Sequence, residues 1–272
     1  MKEATPMDYY VVDVFTKRIF GGNPAGVCVL EDWPDDEILQ NIAVENNLSE
    51  TAFVSRRDGY RRLRWFTPEV EIDLCGHATI GTTFVLMNFY EKQRLEFRFD
   101  TMSGEVGVSR EGDVYYLDFP ARVAAKAPDY PAFGRAFGCA NQGVLKAADF
   151  LVLFENEAQI RALKPDFAAL KALKGEAGLE SDNFGVIVTA KGDGCDFVSR
   201  FFVPNAGIGE DPVTGRAHCT LIPYWASMLG KAKMSARQLS RRGGEISCEL
   251  CGERVRIGAK AVLYSKGEIY PA

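Results

Sequence analysis

The strongest constraint on the fold of this chain is a segment that occurs twice. The first copy, RWFTPEVEIDLCGHATIGTTFVLMNF, has Phe-Thr-Pro at 66–68, an acidic stretch and Gly-His-Ala-Thr at 76–79. The second, RFFVPNAGIGEDPVTGRAHCTLIPYWASML, has Phe-Val-Pro at 202–204, an acidic stretch and Gly-Arg-Ala-His at 215–218. Phe66 and Phe202 are separated by half of the 272-residue chain. This period predicts two related halves that arose by duplication.

The apolar run that ends each copy predicts a buried helix. Neither run has enough polar positions for a solvent-facing side, and both are too short to span a bilayer. Stretches rich in Val, Tyr, Phe and Trp precede them and predict strands. We therefore expect an α/β (α+β) fold of two pseudo-symmetric lobes, each a barrel-like mixed sheet wrapped around a central buried helix. Pro223 is expected to kink the second helix, since it removes a backbone donor.

The boundary between the lobes is predicted where prolines and small residues interrupt the strand pattern, in FPARVAAKAPDYP at 119–131. We expect an N-terminal lobe at 1–122 that carries Glu50 and His77. The C-terminal lobe at 123–272 carries Asp211, and its last strand is free to return to the first lobe.

Composition excludes several classes of function. A net charge of −5 and a pI near 5.3 provide no basic surface for nucleic acid. The sequence contains neither a membrane span nor an N-terminal secretory signal, and its seven cysteines are an odd number, so a cytoplasmic protein with reduced thiols is expected. Cys248 and Cys251 form an isolated C-x-x-C in a predicted hairpin. With two histidines in the chain, no metal site is predicted.

Polar side chains cluster at the start of each buried helix, where free N–H groups favour anions. Two such helix ends facing one cleft are expected to hold a small acidic ligand. The clusters comprise Glu71, Asp73, Cys75 and His77 in the first half, and Glu210, Asp211, Thr214, Arg216 and His218 in the second. His77 follows Gly76 directly, where the helix dipole favours a neutral imidazole that both gives and accepts a proton.

Five segments, in order along nearly the whole chain, resemble the phenazine-biosynthesis (PhzF-like) isomerase family: GGNPAGV, NLSETAFV, LRWFTPEVEIDLCGHATIGT, GEDPVTGRAH and SRRGGEI. The resemblance implies a diaminopimelate-epimerase-like fold, a homodimer and proton transfer within a small anionic carboxylate without a cofactor. It implies that Glu50 shuttles the proton and that His77 and Asp211 support it. The substrate-binding positions are expected to be Asn23, Gly76 and Gly215, with Arg216 as a further candidate that the resemblance does not supply.

Arg216 departs from the family pattern, which usually has serine after the glycine of EDPxTG. One hypothesis is that Arg216 binds a carboxylate or phosphate of the substrate. The other is a structural salt bridge to Glu210 or another nearby acid. A positive charge at the start of a helix requires a negative partner in either case.

Two further functions remain open. Cys75 and Thr214 occupy the helix starts at which related racemases carry two cysteines, so a dehydratase or epimerase that uses them is the alternative within the fold, with Asp73 as a secondary candidate. The other alternative is a non-catalytic protein that binds a ligand or a partner.

Overall fold

The structure is a computed structural model that describes residues 6–205 and 209–271. The chain divides into two compact units: residues 1–118 with 258–272, and residues 119–257. The sequence-based boundary at 122/123 lies just beyond the first division. In the described ranges no helix is long and apolar enough to cross a membrane.

The first unit contains a six-stranded sheet in the order β18-β1-β2-β3-β4-β5, in which β2 and β3 are parallel. An antiparallel meander, β6-β7-β8, follows the second helix. A π-helical turn at Leu86–Tyr90 continues that helix. The elements are β1 (Met7–Val14), β2 (Asn23–Leu30), α1 (Asp36–Asn46), β3 (Thr51–Ser55), β4 (Leu63–Phe66), β5 (Glu71–Ile72), α2 (Gly76–Val85), β6 (Glu96–Thr101), β7 (Gly104–Glu111), β8 (Val114–Pro120) and β18 (Ala261–Ile269).

This sheet is covered on both faces, which explains its continuous apolar strands. Cys28 and Leu30 of β2 pack with the buried side of α1. Ala25 and Val27 alternate with them along the strand and lie against α2 at Gly81, where an added Cβ would be 3.3 Å from Ala25. A strand that is buried on two sides has no solvent-facing positions, so it loses the polar alternation of a surface strand.

Helix α2 buries three threonines without leaving their hydroxyls unsatisfied. The hydroxyls of Thr79, Thr82 and Thr83 donate to the carbonyl oxygens four residues earlier, at 2.6–2.9 Å. The helix is therefore apolar on its outside even though its sequence contains threonine. The predicted buried helix in this half is confirmed.

The second unit has a sheet in the order β17-β16-β15-β13-β12-β11-β10-β9, with β14 paired to β13. The pairs β11–β12 and β13–β15 are parallel. The elements are β9 (Ala125–Lys126), α3 (Pro131–Phe137), β10 (Gly143–Lys146), β11 (Phe150–Leu153), α4 (Glu157–Ala162), α5 (Phe167–Glu176), β12 (Val186–Lys191), β13 (Phe197–Val203), β14 (Gly209–Asp211), α6 (Gly215–Leu229), β15 (Lys233–Gln238), β16 (Gly244–Cys251) and β17 (Arg254–Ala259).

Here, too, helices cover both faces of the central strands. Val186 and Val188 of β12 belong to a core with Phe133 of α3 and Leu170 of α5. On the other face, Thr189 accepts a hydrogen bond from the indole of Trp225 in α6, at 2.9 Å. The mixed α/β fold with one buried helix against each sheet is confirmed, and in the described residues neither sheet closes into a barrel.

Helix α6 runs without interruption through Pro223. A proline at this position leaves the carbonyl of Cys219, four residues earlier, without its helical donor. The backbone N–H of Arg122 donates to that carbonyl at 2.9 Å. The segment that precedes β9 therefore satisfies the acceptor that the proline frees.

Candidate active site

The two helices α2 and α6 begin in the same structural setting. A strand is followed by a short antiparallel strand, and the helix begins five residues after a glutamate in each case. Glu71 is opposite Phe66 in the first copy, and Glu210 is opposite Phe202 in the second. The sequence repeat is therefore also a repeat of strand register.

In each copy, an arginine on the longer strand pairs with the glutamate of the short strand. The guanidinium of Arg64 donates two hydrogen bonds to Glu71, both at 2.7 Å, and lies 5.0 Å from the ring centre of Phe66. Arg200 donates two hydrogen bonds to Glu210, at 2.7 and 2.9 Å, and also lies 5.0 Å from the ring centre of its phenylalanine. Bidentate pairs of this kind fix geometry as well as adding energy. Each short strand is thus held against its neighbour directly before the helix begins.

On this common scaffold the two helix starts carry different chemistry. Cys75 and Thr214 are the N-cap residues, with equal ψ values of 107° and extended φ values. Two positions later, His77 stands in the first copy and Arg216 in the second. The duplicated framework thus presents a thiol and an imidazole in one unit and a hydroxyl and a guanidinium in the other.

In the first unit, Glu50 and His77 lie together. Glu50 directly precedes β3, and its Oε2 is 3.2 Å from Nε2 of His77. The thiol of Cys75 is 3.5 Å and the amide nitrogen of Asn23 3.4 Å from the other ring nitrogen, Nδ1. Two donors at Nδ1 favour the tautomer in which Nε2 carries the proton and faces the Glu50 carboxyl.

The environment of Glu50 suits proton transfer. Its side chain is 19% exposed, and that of His77 is 7% exposed. Burial raises the pKa of the Glu50 carboxyl, while an interaction with Ser49 acts in the opposite direction. A carboxyl whose pKa is raised by desolvation keeps its proton to higher pH, and a general acid/base works best when its pKa approaches the working pH.

In the second unit, a glutamine that sequence reasoning missed organises the start of α6. Gln238 is fully buried, and its Oε1 accepts a hydrogen bond from the Thr214 backbone N–H at 3.0 Å. Its amide nitrogen donates to the Thr214 hydroxyl and to the backbone carbonyl of Asp211. The Thr214 hydroxyl donates in turn to the Asp211 carboxylate. No local pattern marks Gln238, because its contacts are 24 and 27 residues away in sequence.

Arg216 has an acidic partner inside the second unit. Its guanidinium donates two hydrogen bonds to Asp149, at 2.6 and 2.9 Å, and one to the Asn183 side chain at 3.0 Å. The Asp149 side chain is completely buried. These contacts favour the structural hypothesis, with Asp149 as the acid rather than Glu210, which Arg200 occupies. Substrate binding by Arg216 stays a prediction.

The remaining candidate residues lie around the same two helix starts. Gly76 and Gly215 are the first residues of α2 and α6. Asp73 is exposed in the turn between β5 and α2. His218 is fully buried and hydrogen-bonds through Nδ1 to the Thr214 carbonyl at 2.7 Å. Burial lowers the pKa of His218 to about 4, so this histidine is neutral near pH 7 and serves packing.

Among the described residues, the fold creates a possible metal-binding cluster that the sequence does not place together. The potential ligand atoms of Glu50, Cys75 and His77 all lie within 4.8 Å of one another. The C-x-x-C motif, by contrast, has Cys248 buried and Cys251 exposed on β16, so the two sulfurs do not share a face.

Comparison with known proteins gives consistent matches over the whole chain. The profile of the PhzC-PhzF family, described as "Phenazine biosynthesis-like protein", matches residues 12–136 and 139–267. A relative from Pseudomonas aeruginosa, named an uncharacterized isomerase, is 51% identical over 261 residues, which cover 96% of this chain and 98% of the relative.

Solved structures give the same result. A PhzF-family phenazine biosynthesis protein from Enterococcus faecalis matches with a TM-score of 0.92 and 46% identity, covering 98% of this chain and 100% of that one. A hydroxyproline epimerase from Agrobacterium vitis is similar in fold alone, with a TM-score of 0.58 and 13% identity, over 99% of this chain and 92% of that one. Because the profile and the relatives match both halves at this level, the chain belongs to the phenazine biosynthesis-like, PhzC-PhzF, family.

Proposed function

We propose that this protein is an isomerase that moves a proton between carbon atoms of a small carboxylate-bearing metabolite, without a cofactor. The observation that carries the proposal is the buried carboxyl of Glu50, with its raised pKa, 3.2 Å from His77. The relatives that are named isomerases support the same reaction class.

In the proposed mechanism Glu50 is both base and acid. Its carboxylate takes a proton from a substrate carbon, and the electron pair of the broken C–H bond moves into an adjacent unsaturated system. The carboxyl then returns the proton to a different carbon, so that the substrate is isomerised and the enzyme is regenerated. A desolvated carboxyl carries out both steps because its two protonation states are closer in free energy near neutral pH.

His77 supports this shuttle through its Nε2, which faces Glu50. When Glu50 is ionised, the proton on Nε2 of a neutral imidazole stabilises its carboxylate. This interaction weakens when Glu50 becomes protonated. The contacts of Cys75 and Asn23 with Nδ1 hold the ring in that tautomer. His77 therefore sets the proton affinity of the base at each stage of the cycle.

Asp211 is proposed to take part in the same reaction as a second acid/base group. Its carboxylate accepts the Thr214 hydroxyl, which Gln238 orients from the other side. The free N–H groups at Gly76 and Gly215, together with Asn23, are proposed to bind the substrate's carboxylate, since helix starts favour anions.

The alternative chemistry is a dehydratase or epimerase reaction that uses Cys75. The specific observation in its favour is the distance of 3.5 Å from the Cys75 sulfur to the His77 ring, within reach of a general base. Thr214, the matching N-cap residue, donates its hydroxyl to Asp211 and has no thiol to complete a two-thiol mechanism. Cys75→Ser abolishes activity in this alternative, whereas its hydroxyl can still donate to Nδ1 and so spares a reaction carried by Glu50.

The decisive experiment detects proton transfer to carbon in any member of a set of small molecules. The protein is incubated in deuterated water with a panel of small cyclic and amino carboxylates, and carbon-bound deuterium is followed by NMR. Incorporation is expected for at least one compound and is lost in Glu50→Gln. The matched control is Glu31→Gln, an exposed glutamate that pairs with Arg56 in the same unit. Incorporation that persists in Glu50→Gln means that another residue is the base, and binding without incorporation supports the non-catalytic alternative.

The resemblance also leads us to propose a cytoplasmic homodimer. Light scattering of the purified protein tests the dimer, which predicts twice the chain mass of 30.1 kDa.

A further inference from the structure

The cluster around His77 combines three kinds of side chain that bind transition metals. Glu50 offers a carboxylate oxygen, Cys75 a sulfur and His77 a ring nitrogen, all within 4.8 Å of one another. The spacing of Glu50 from the other two matches no metal-binding motif in the sequence. The fold alone brings them together, because β3 begins beside the start of α2 in the same unit.

The ligand chemistry fits a thiophilic divalent cation. Zinc binds cysteine, histidine and glutamate at about 2.0–2.3 Å, and sites with three protein ligands leave the fourth position open. Such bond lengths place neighbouring ligand atoms roughly 3.3–3.8 Å apart. The Cys75–His77 distance of 3.5 Å is already in that range. The three potential ligand atoms lie within 4.8 Å of one another, so no pair needs to approach by more than about 1 Å, a movement that rotation of the long Glu50 side chain supplies.

The positions of these groups also suit a bound ion. Cys75 is the N-cap residue of α2 and His77 lies in its first turn, so one helix start holds two of the three ligands together. The Asn23 amide contacts the same ring nitrogen of His77 as Cys75 does, at 3.4 Å, so a cation bound to that nitrogen displaces this contact. The Glu50 side chain is 19% exposed, so the cluster is not sealed from solvent.

We propose that Glu50, Cys75 and His77 bind a thiophilic divalent cation, with Zn²⁺ as the best fit, and that the bound cation inhibits the protein. Inhibition rests on the proposed function, because the cation occupies the oxygens of Glu50 that move the proton.

The second unit provides an internal comparison. Thr214 and Arg216 stand at the positions of Cys75 and His77, and a hydroxyl and a paired guanidinium are poor ligands for zinc. A buried thiol is nevertheless present in α6. Burial raises the pKa of Cys219 to about 11, and its sulfur lies 3.8 Å from the carbonyl of Gly215. Cys219 is thus a matched thiol on the duplicated helix.

The test uses Co²⁺ as a spectroscopic substitute for Zn²⁺, because a cobalt–thiolate bond absorbs in the near ultraviolet. The starting protein carries Cys139→Ser and Cys251→Ser, which remove the two exposed thiols. Titration with Co²⁺ is expected to give a charge-transfer band that Zn²⁺ abolishes by displacement. Adding Cys75→Ser removes the band, whereas adding Cys219→Ser leaves it unchanged. Adding His77→Gln or Glu50→Gln weakens Co²⁺ binding by about tenfold or more, at least as much as the loss of an outer contact.

Circular dichroism of each variant shows that the fold is retained. The proposal is overturned if the starting protein gives no band at millimolar Co²⁺, if the band survives Cys75→Ser, or if it depends on Cys219. Because the spectrum reports binding without turnover, its failure leaves the proposed isomerase function standing. If Zn²⁺ binds and deuterium incorporation continues, the metal site stands and only the proposed inhibition is wrong.

Discussion

The ion pair between Arg216 and Asp149 gives the sharpest prediction about stability. The Asp149 side chain is fully buried, whereas that of Arg216 is 34% exposed. In Arg216→Ser the carboxylate loses two charged hydrogen bonds and keeps the backbone N–H of Gly185, which donates to it at 2.8 Å. The variant therefore leaves a buried charge with one neutral donor.

The magnitude follows from these contacts. Hydrogen bonds to charged groups contribute about 1.5–3 kcal/mol each, and breaking a buried pair from one side costs about 3–5 kcal/mol. The partial exposure of Arg216 places the cost at the lower end, so we expect the free energy of unfolding to decrease by about 3 kcal/mol. At about 2–4 °C per kcal/mol for chains of similar size, the unfolding temperature falls by about 6 °C or more.

Urea and thermal unfolding of Arg216→Ser, Asp149→Asn and the double variant measure this cost and the coupling between the two residues. Arg135→Ser is the matched control, because Arg135 pairs with Glu176 in the same unit but is 53% exposed, so its loss costs less than about 1 kcal/mol. A stability change below about 1 kcal/mol in Arg216→Ser, together with weaker binding of carboxylate ligands, refutes the structural role and supports substrate binding.

Three further predictions concern the site and its scaffold. Because burial raises the pKa of Glu50, the folded protein keeps a proton that the unfolded chain releases, so its stability decreases as pH rises above about 4.3; urea unfolding at several pH values should show this slope reduced in Glu50→Gln. Gln238→Leu removes the hydrogen bonds to the Thr214 backbone and hydroxyl and to the Asp211 carbonyl, so Asp211 is held less firmly. NMR is expected to show slower deuterium incorporation in this variant than in the wild type. Arg64→Lys and Arg200→Lys each lose a bidentate contact and should lower the free energy of unfolding by similar amounts, about 1–3 kcal/mol in urea; a cost in one copy alone contradicts the equivalence of the two scaffolds.

The elements that the sequence predicted well are those with a local signal. The two buried helices could be recognised because Ile80 and Leu221 lie within runs that leave no polar face. The repeat could be recognised because the Phe-x-Pro and glycine positions recur in order. Each of these signals is carried by neighbouring residues, so it does not depend on how the strands pair.

The residues that escaped prediction act across long stretches of chain. Asp149 is 67 residues from Arg216, and Gln238 is 24 residues from Thr214. Their partners are set by strand register: Gln238 is the last residue of β15, paired in parallel with Ser199 of β13. A single glutamine or aspartate at such a position is indistinguishable from a surface residue in sequence. The helix dipole predicts that Arg216 pairs with an acidic residue, but it does not predict which residue.

The duplicated scaffold explains how one repeat can present two chemistries. Arg64, Phe66 and Glu71 are repeated by Arg200, Phe202 and Glu210 with nearly the same distances, so both copies have the same framework before the helix start. The candidate site positions instead differ between the two copies. Ile72 is opposite Trp65 where Asp211 is opposite Phe201, so the second copy places a carboxylate at the register position where the first has an apolar side chain.

This divergence also determines the balance between stability and reactivity in each copy. The first copy places His77 3.2 Å from the Glu50 carboxyl, whose pKa is raised by burial. The second copy uses an always-charged arginine at the equivalent position and neutralises it with a buried aspartate. An imidazole changes its charge near neutral pH and a guanidinium does not, so the proposed proton transfer fits the position of His77 better than that of Arg216. Exchanging the two chemistries, by Arg216→His with Asp149→Asn, is therefore expected to restore part of the stability lost in Arg216→Ser without creating a second site of deuterium incorporation. Incorporation that survives Glu50→Gln in that background would show that the second helix start can also act as a base.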